Sequence, residues 1–91
     1  MKFLNDKYFS YLIDVKELLG TLEVFDAAGI EKVFTAISQN HNTKLGNIAQ
    51  PVRVAVTGRT ESPGIFEVLQ ILGKEKTLNR LARAIHIIEM K

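Results

Sequence analysis

Apolar residues recur at spacings of three and four through most of this 91-residue chain, and that rhythm predicts helices. Tyr8, Tyr11, Leu12, Val15, Leu18, Leu19 and Leu22 form one stripe behind a candidate cap at Asn5, with Gly20 weakening its last turn. That stripe needs a partner surface. Asp26 is a second N-cap, followed by Ile30, Val33, Phe34 and Ile37 on one helical face, until Asn40-His41-Asn42 stops the helix. From residue 45 the pattern reads two ways. Val52-Arg53-Val54-Ala55-Val56 alternates as a half-buried strand does, while Leu45, Ile48, Ala49, Val52, Ala55 and Val56 also share a helical face. Pro51 disfavours helical geometry at Gln50, which leaves two short helices with a kink or a turn entering a strand. A lone strand has nothing to pair with, so helix is the expectation.

Thr57-Gly58 closes that segment, and Gly58 suits the left-handed position past a helix end. Ser62-Pro63 reads as a serine cap followed by proline at the first helical position. Ile65, Val68, Leu69 and Leu72 then face inward until Gly73. A last helix over about 74–89 is expected to bury Leu78, Leu81, Ala82, Ile85 and Ile88, with Lys76, Arg80 and Arg83 forming a basic stripe on another side. The expected fold is all-α, a compact bundle of four to six helices, with residues 1–91 forming one domain.

Composition narrows the chemistry. Cysteine is absent, which removes disulfides and thiolate metal sites, and His41 and His86 lack helical ligand spacing. No apolar run approaches the roughly 20 residues of a membrane-spanning helix, and the N-terminus lacks signal-peptide grammar, so a cytoplasmic protein is expected. Charge is unevenly spread. Residues 1–43 carry four lysines against six carboxylates, a balance of −2, while residues 44–91 carry eight Lys or Arg against four Glu, a balance of +4. The C-terminal half is the one suited to a polyanion, although a solvated basic face has the same composition.

No Gly-rich phosphate cradle occurs, since Gly58 and Gly64 read as loop or capping glycines. Ser10, Ser38 and Ser62 are serines without a neighbouring base, and neither histidine has a carboxylate close in sequence to orient it. His86 reads as a half-buried structural histidine, and the carboxylates of the first two helices as solvated faces. Catalysis within the chain is therefore not expected. Arg53 and Arg59 flank a turn containing Thr57, Gly58, Thr60, Ser62 and Gly64, which can bring backbone groups and planar guanidinium forks to a ligand. The positive end of the following helix points at the same turn. On residues alone, both a single-stranded RNA site and a loop with two surface arginines stay open.

The segment Ile48-Ala49-Gln50-Pro51-Val52-Arg53, the Thr57-Gly58 turn, the Ser62-Pro63-Gly64-Ile65 turn and Leu72-Gly73-Lys74-Glu75 resemble, in combination, the C-terminal anticodon-binding region of bacterial glutamyl-tRNA synthetases. The resemblance is close from residue 45 to about 84, weaker back to 26, and slight before that. It implies an all-helical domain whose Ser62–Ile65 turn and Arg53 face the anticodon loop of a glutamate tRNA. Arg53 is then expected at a base edge, and Pro63 and Ile65 as apolar shelves beside Ser62 and Gly64. Arg59, Lys74 and Arg80 are expected to attract phosphates, with Thr60 in the same turn. The His-x-Gly-His and Lys-Met-Ser-Lys-like signatures of the synthetase are absent, and 91 residues cannot hold a nucleotide-binding fold with them.

The resemblance thus implies an excised domain of a parent enzyme that joins glutamate to tRNA with ATP and magnesium, and neither ATP nor magnesium is expected to bind in this domain. Residues 1–25 would form a leading helix packed on the missing catalytic domain of the same parent. A relaxed or glutamine-tRNA-charging synthetase is compatible with the same residues. The alternative from another class is a free-standing protein–protein interaction module that docks through the Tyr8-to-Leu22 stripe.

Overall fold

A computed structural model describes residues 6–58 and 64–89, with side chains from Phe9 onward. Among them five helices follow one another: α1 (Asp6–Gly20), α2 (Ala27–Asn40), α3 (Leu45–Thr57), α4 (Ile65–Leu72) and α5 (Lys74–Glu89). No strand occurs among the described residues, as the helical reading requires. The expected caps at Asn5 and Ser62, the side chain of Tyr8, and Pro63 lie outside the described residues.

The apolar stripe of α1 finds its partner within the chain. Leu12, Val15 and Leu19 are fully buried and Tyr11 nearly so, packed chiefly against α5 and also against α2 and α3. These four positions are thus covered within the chain itself, while Leu18 and Leu22 of the same stripe stay half-buried. The helix closes with tight i→i+3 bonds, in which Leu18 O accepts from Thr21 N at 3.1 Å and from Thr21 Oγ1 at 2.7 Å.

Asp26 caps α2 as expected: in extended geometry, its Oδ1 accepts from Gly29 N at 2.8 Å. Gln70 of α4 supplies a second acceptor, its Oε1 lying 2.9 Å from Ala27 N. The other end of α2 stops where the polar triplet predicts, with Asn42 in left-handed geometry at φ 51°. Phe34 and Phe66 meet edge to face at a centroid distance of 5.2 Å, joining α2 to α4.

α3 is one continuous helix with Pro51 inside it, where the sequence pattern left two short helices or a strand. Proline in a helix interior costs about 3 kcal/mol through the lost hydrogen bond and the ring clash. Burial of Pro51 itself, with Ile48, Ala49, Val52, Val54 and Val56, offsets that cost. The strand-like alternation also has an explanation. α3 touches α1, α2 and α5, so its apolar surface wraps far round the helix and Val52, Val54 and Val56 are all buried. Gly58 ends it at φ 74°, donating its N–H to Val54 O at 2.9 Å.

The described part of α4 starts at Ile65 with Gly64 at the N-cap, two residues beyond the start expected at Pro63. Gly73 separates α4 from α5 at φ 87°, and its carbonyl accepts from Thr77 N at 3.1 Å. In α5 the fully buried positions are Leu81 and Thr77, with Ala84 nearly so, while Leu78, Ala82, Ile85 and Ile88 are half-buried. Thr77 is a polar residue that the apolar pattern passes over.

Candidate nucleic-acid interface

Of the residues singled out from sequence, Arg53 and Gly64 are described at the end of the bundle where α3 stops and α4 begins. Arg53 sits half-buried on α3, its Nη1 3.5 Å from Gln50 Oε1, while its carbonyl accepts from Thr57 Oγ1 at 2.6 Å. Five residues on, Gly58 follows the end of the helix, and a Cβ there would meet nothing within 4 Å among the described residues. The backbone there is open to approach. Gly64 lies exposed at the far side of the connection. Arg59, Thr60, Ser62 and Pro63, which lie between, are outside the described residues.

Tertiary structure brings Arg80, also singled out from sequence, to this end. Arg80, 24 positions beyond Val56, donates from Nη1 to the Val56 carbonyl at 2.6 Å. Carbonyls in the last turn of a helix have no partner within it, and the negative end of the helix favours a cation. Arg80 therefore caps α3 from α5 and lies beside Gly58. Val54, Ala55, Gly58, Arg80, Arg83, Ala84 and Ile87 line a groove of about 510 Å³.

Geometry gives Ile65 and Lys74 contacts that the resemblance did not imply. Ile65 is 3% exposed and belongs to the core, so it anchors α4 and offers no shelf to a base. Lys74 turns away to the α1–α2 connection, where its Nζ donates to Leu22 O at 2.9 Å. Glu67 lies in the first turn of α4, where a carboxylate suits the positive end of the helix.

The histidines also differ from their sequence reading. His86 is exposed, not half-buried. His41 Nε2 lies 2.6 Å from Asp14 Oδ2, and the ring stands edge-on to Tyr11 at 4.8 Å. That carboxylate comes from 27 residues away, beyond the reach of any local motif. The pair closes α1 against the end of α2 and is remote in sequence from the α3–α4 connection.

The anticodon binding domain family matches residues 1–85. The chain belongs to that family. Its relatives include glutamate–tRNA ligases from Thermodesulfovibrio yellowstonii, 52% identical over 84 residues, and Desulfosudis oleivorans, 49% identical over 88 residues. These alignments cover 92% and 97% of this chain but 18% and 19% of the relatives. The chain thus spans under one fifth of the length of the curated relatives it matches. A crystal structure of a glutamate tRNA ligase from Elizabethkingia meningosepticum in complex with its amino acid shares the fold. Its TM-score is 0.88 at 21% identity, over 96% of this chain and 17% of that one. This anticodon-binding domain corresponds to a small part of those enzymes. Among the described residues, no helix is long and apolar enough to cross a membrane.

Proposed function

We propose that the chain binds the anticodon loop of a glutamate tRNA, as the anticodon-binding domain of a glutamate–tRNA ligase. The observation that carries this reading is the family match over residues 1–85, joined by relatives at about half identity across nearly the whole chain. Glutamate activation with ATP and magnesium then belongs to a catalytic domain of the same parent chain, working in the cytoplasm.

The reading surface is the α3–α4 connection. Glutamate anticodons share a central U and a 3′ C, and those are the bases assigned to it. Arg53 supplies a planar fork to a base edge. Pro63 gives an apolar surface, Thr60, Ser62 and Gly64 give backbone and hydroxyl groups, and Arg59 and Arg80 attract phosphate. Ile65 and Lys74 form the scaffold behind them, one in the core and one tied to Leu22.

The test is a set of dissociation constants for the 91-residue chain against the cognate anticodon stem-loop and loops changed one base at a time. Arg53→Gln is expected to shrink the cognate preference at the central U or the 3′ C by about 1–3 kcal/mol. Equal weakening against every loop would make Arg53 a phosphate contact only. Failure of the unaltered chain to bind any anticodon loop would overturn the reading itself.

A further inference from the structure

Two grooves flank α5, and their charges differ. The one shared with α1 has Lys16, Glu17, His86 and Glu89 on its walls, so cations and carboxylates offset each other. The one shared with the end of α3 carries Arg80 and Arg83 and no carboxylate among its described lining residues. Three positions apart on a helix, these two arginines are neighbours on one face.

Arg80 is held by Val56 O, which orients its guanidinium before any ligand arrives. Arg83 is exposed and makes no hydrogen bond or ion pair among the described residues. Below them the floor is apolar, built from Val54, Ala55, Ala84 and Ile87, and Ile87 is 47% exposed. Two cations above an aliphatic floor suit an anion attached to a flat, weakly polar ring. A nucleotide has that shape, with phosphate for the guanidiniums and a base face for the floor. Gly58 supplies the continuity, since it lines the groove and also begins the α3–α4 connection.

We infer that the α3–α5 groove binds one nucleotide of the same RNA strand, adjacent to those read by the connection. It contributes affinity without sequence preference: Arg83 and Arg80 hold the phosphate and Ile87 with Ala55 supports the base. This inference rests on the tRNA reading above, which names the strand.

The experiment compares the unaltered 91-residue chain with Arg83→Gln, Ile87→Ser and Ala55→Glu, each checked for an unchanged unfolding midpoint. The probes are the cognate anticodon stem-loop and one changed at the central U, at two salt concentrations. Arg83→Gln is expected to weaken both by about 3- to 10-fold, and to reduce the slope of log affinity against log salt by about 0.7, one single-strand phosphate. Ile87→Ser is expected to weaken both by about 2- to 5-fold with the salt slope unchanged, because base support carries no charge. Ala55→Glu places a carboxylate among the arginines and is expected to weaken binding more than either. Unaltered affinities in all three variants, with the parent chain still binding, would overturn the groove and leave the tRNA reading standing. Loss confined to one loop sequence would also overturn it, since the groove would then be reading bases. If the unaltered chain binds neither loop, both readings fall together.

Discussion

The connection from α1 to α2 and the described flanks of the α3–α4 connection are built in opposite ways. Between α1 and α2 the chain is tied down from several sides. Asp26 caps the next helix, Gln70 reaches Ala27 N, and Lys74 reaches Leu22 O. Even Gly29 is enclosed, since a Cβ there would approach Asp26 Oδ1 at 3.1 Å and Val24 O at 3.3 Å. The flanks of the α3–α4 connection are open by contrast. Gly58 has no neighbour within 4 Å of a Cβ among the described residues, Gly64 is exposed, and Arg80 anchors the carbonyl of Val56 just before the connection. Backbone groups bonded to side chains of other helices are spent inside the protein, whereas exposed glycine backbone such as that of Gly58 and Gly64 lets a ligand come close. Polar side chains on α4 and α5 are thus used to hold the first connection, and arginines to flank the second.

The largest expected effect lies on the closed side. Leu12 is fully buried between α1 and its neighbours, so Leu12→Ala is expected to destabilise the domain by about 2–5 kcal/mol, measured by denaturant unfolding. Amide exchange in α1 of the unaltered chain should be as slow as in α5. Rapid exchange throughout α1 would mean that its stripe is covered by something other than this chain.

Gly58→Ala sharpens the comparison at the open end. The left-handed φ of 74° costs a residue with a Cβ roughly 1–2 kcal/mol, although the space around it is free. The expected signature is a modest loss of stability together with weakened binding to every loop, because the exit direction of α3 changes. A loss of stability with RNA binding intact would place the interface elsewhere.

The smallest effect is expected at the α1–α2 clasp. Asp14 and His41 are 40% and 26% exposed in their side chains, so solvent screens the pair. Asp14→Asn is expected to cost less than about 1 kcal/mol in thermal unfolding and to leave loop discrimination untouched. A change in discrimination would show that the closed side also takes part in reading.

Much of the fold was legible because helical periodicity, the Asp26 cap and the left-handed Gly58 are local signals, set by neighbours within a turn. The residue combination running through Arg53, Thr57-Gly58 and Ser62-Pro63-Gly64 likewise pointed to the family, since a site held in a short stretch of chain leaves its pattern in that stretch. Only tertiary structure decided how each helix spends its surface. It placed the α1 stripe inside the core, kept Pro51 within one helix packed on three others, and sent Ile65 inward. It also directed Lys74 to Leu22, Arg80 to Val56 and Asp14 to His41, across separations of 52, 24 and 27 residues. The periodicity of a sequence records which side of a helix is apolar. Which neighbour covers that side, and which distant carbonyl a long cationic side chain reaches, depends on how the helices are arranged in space.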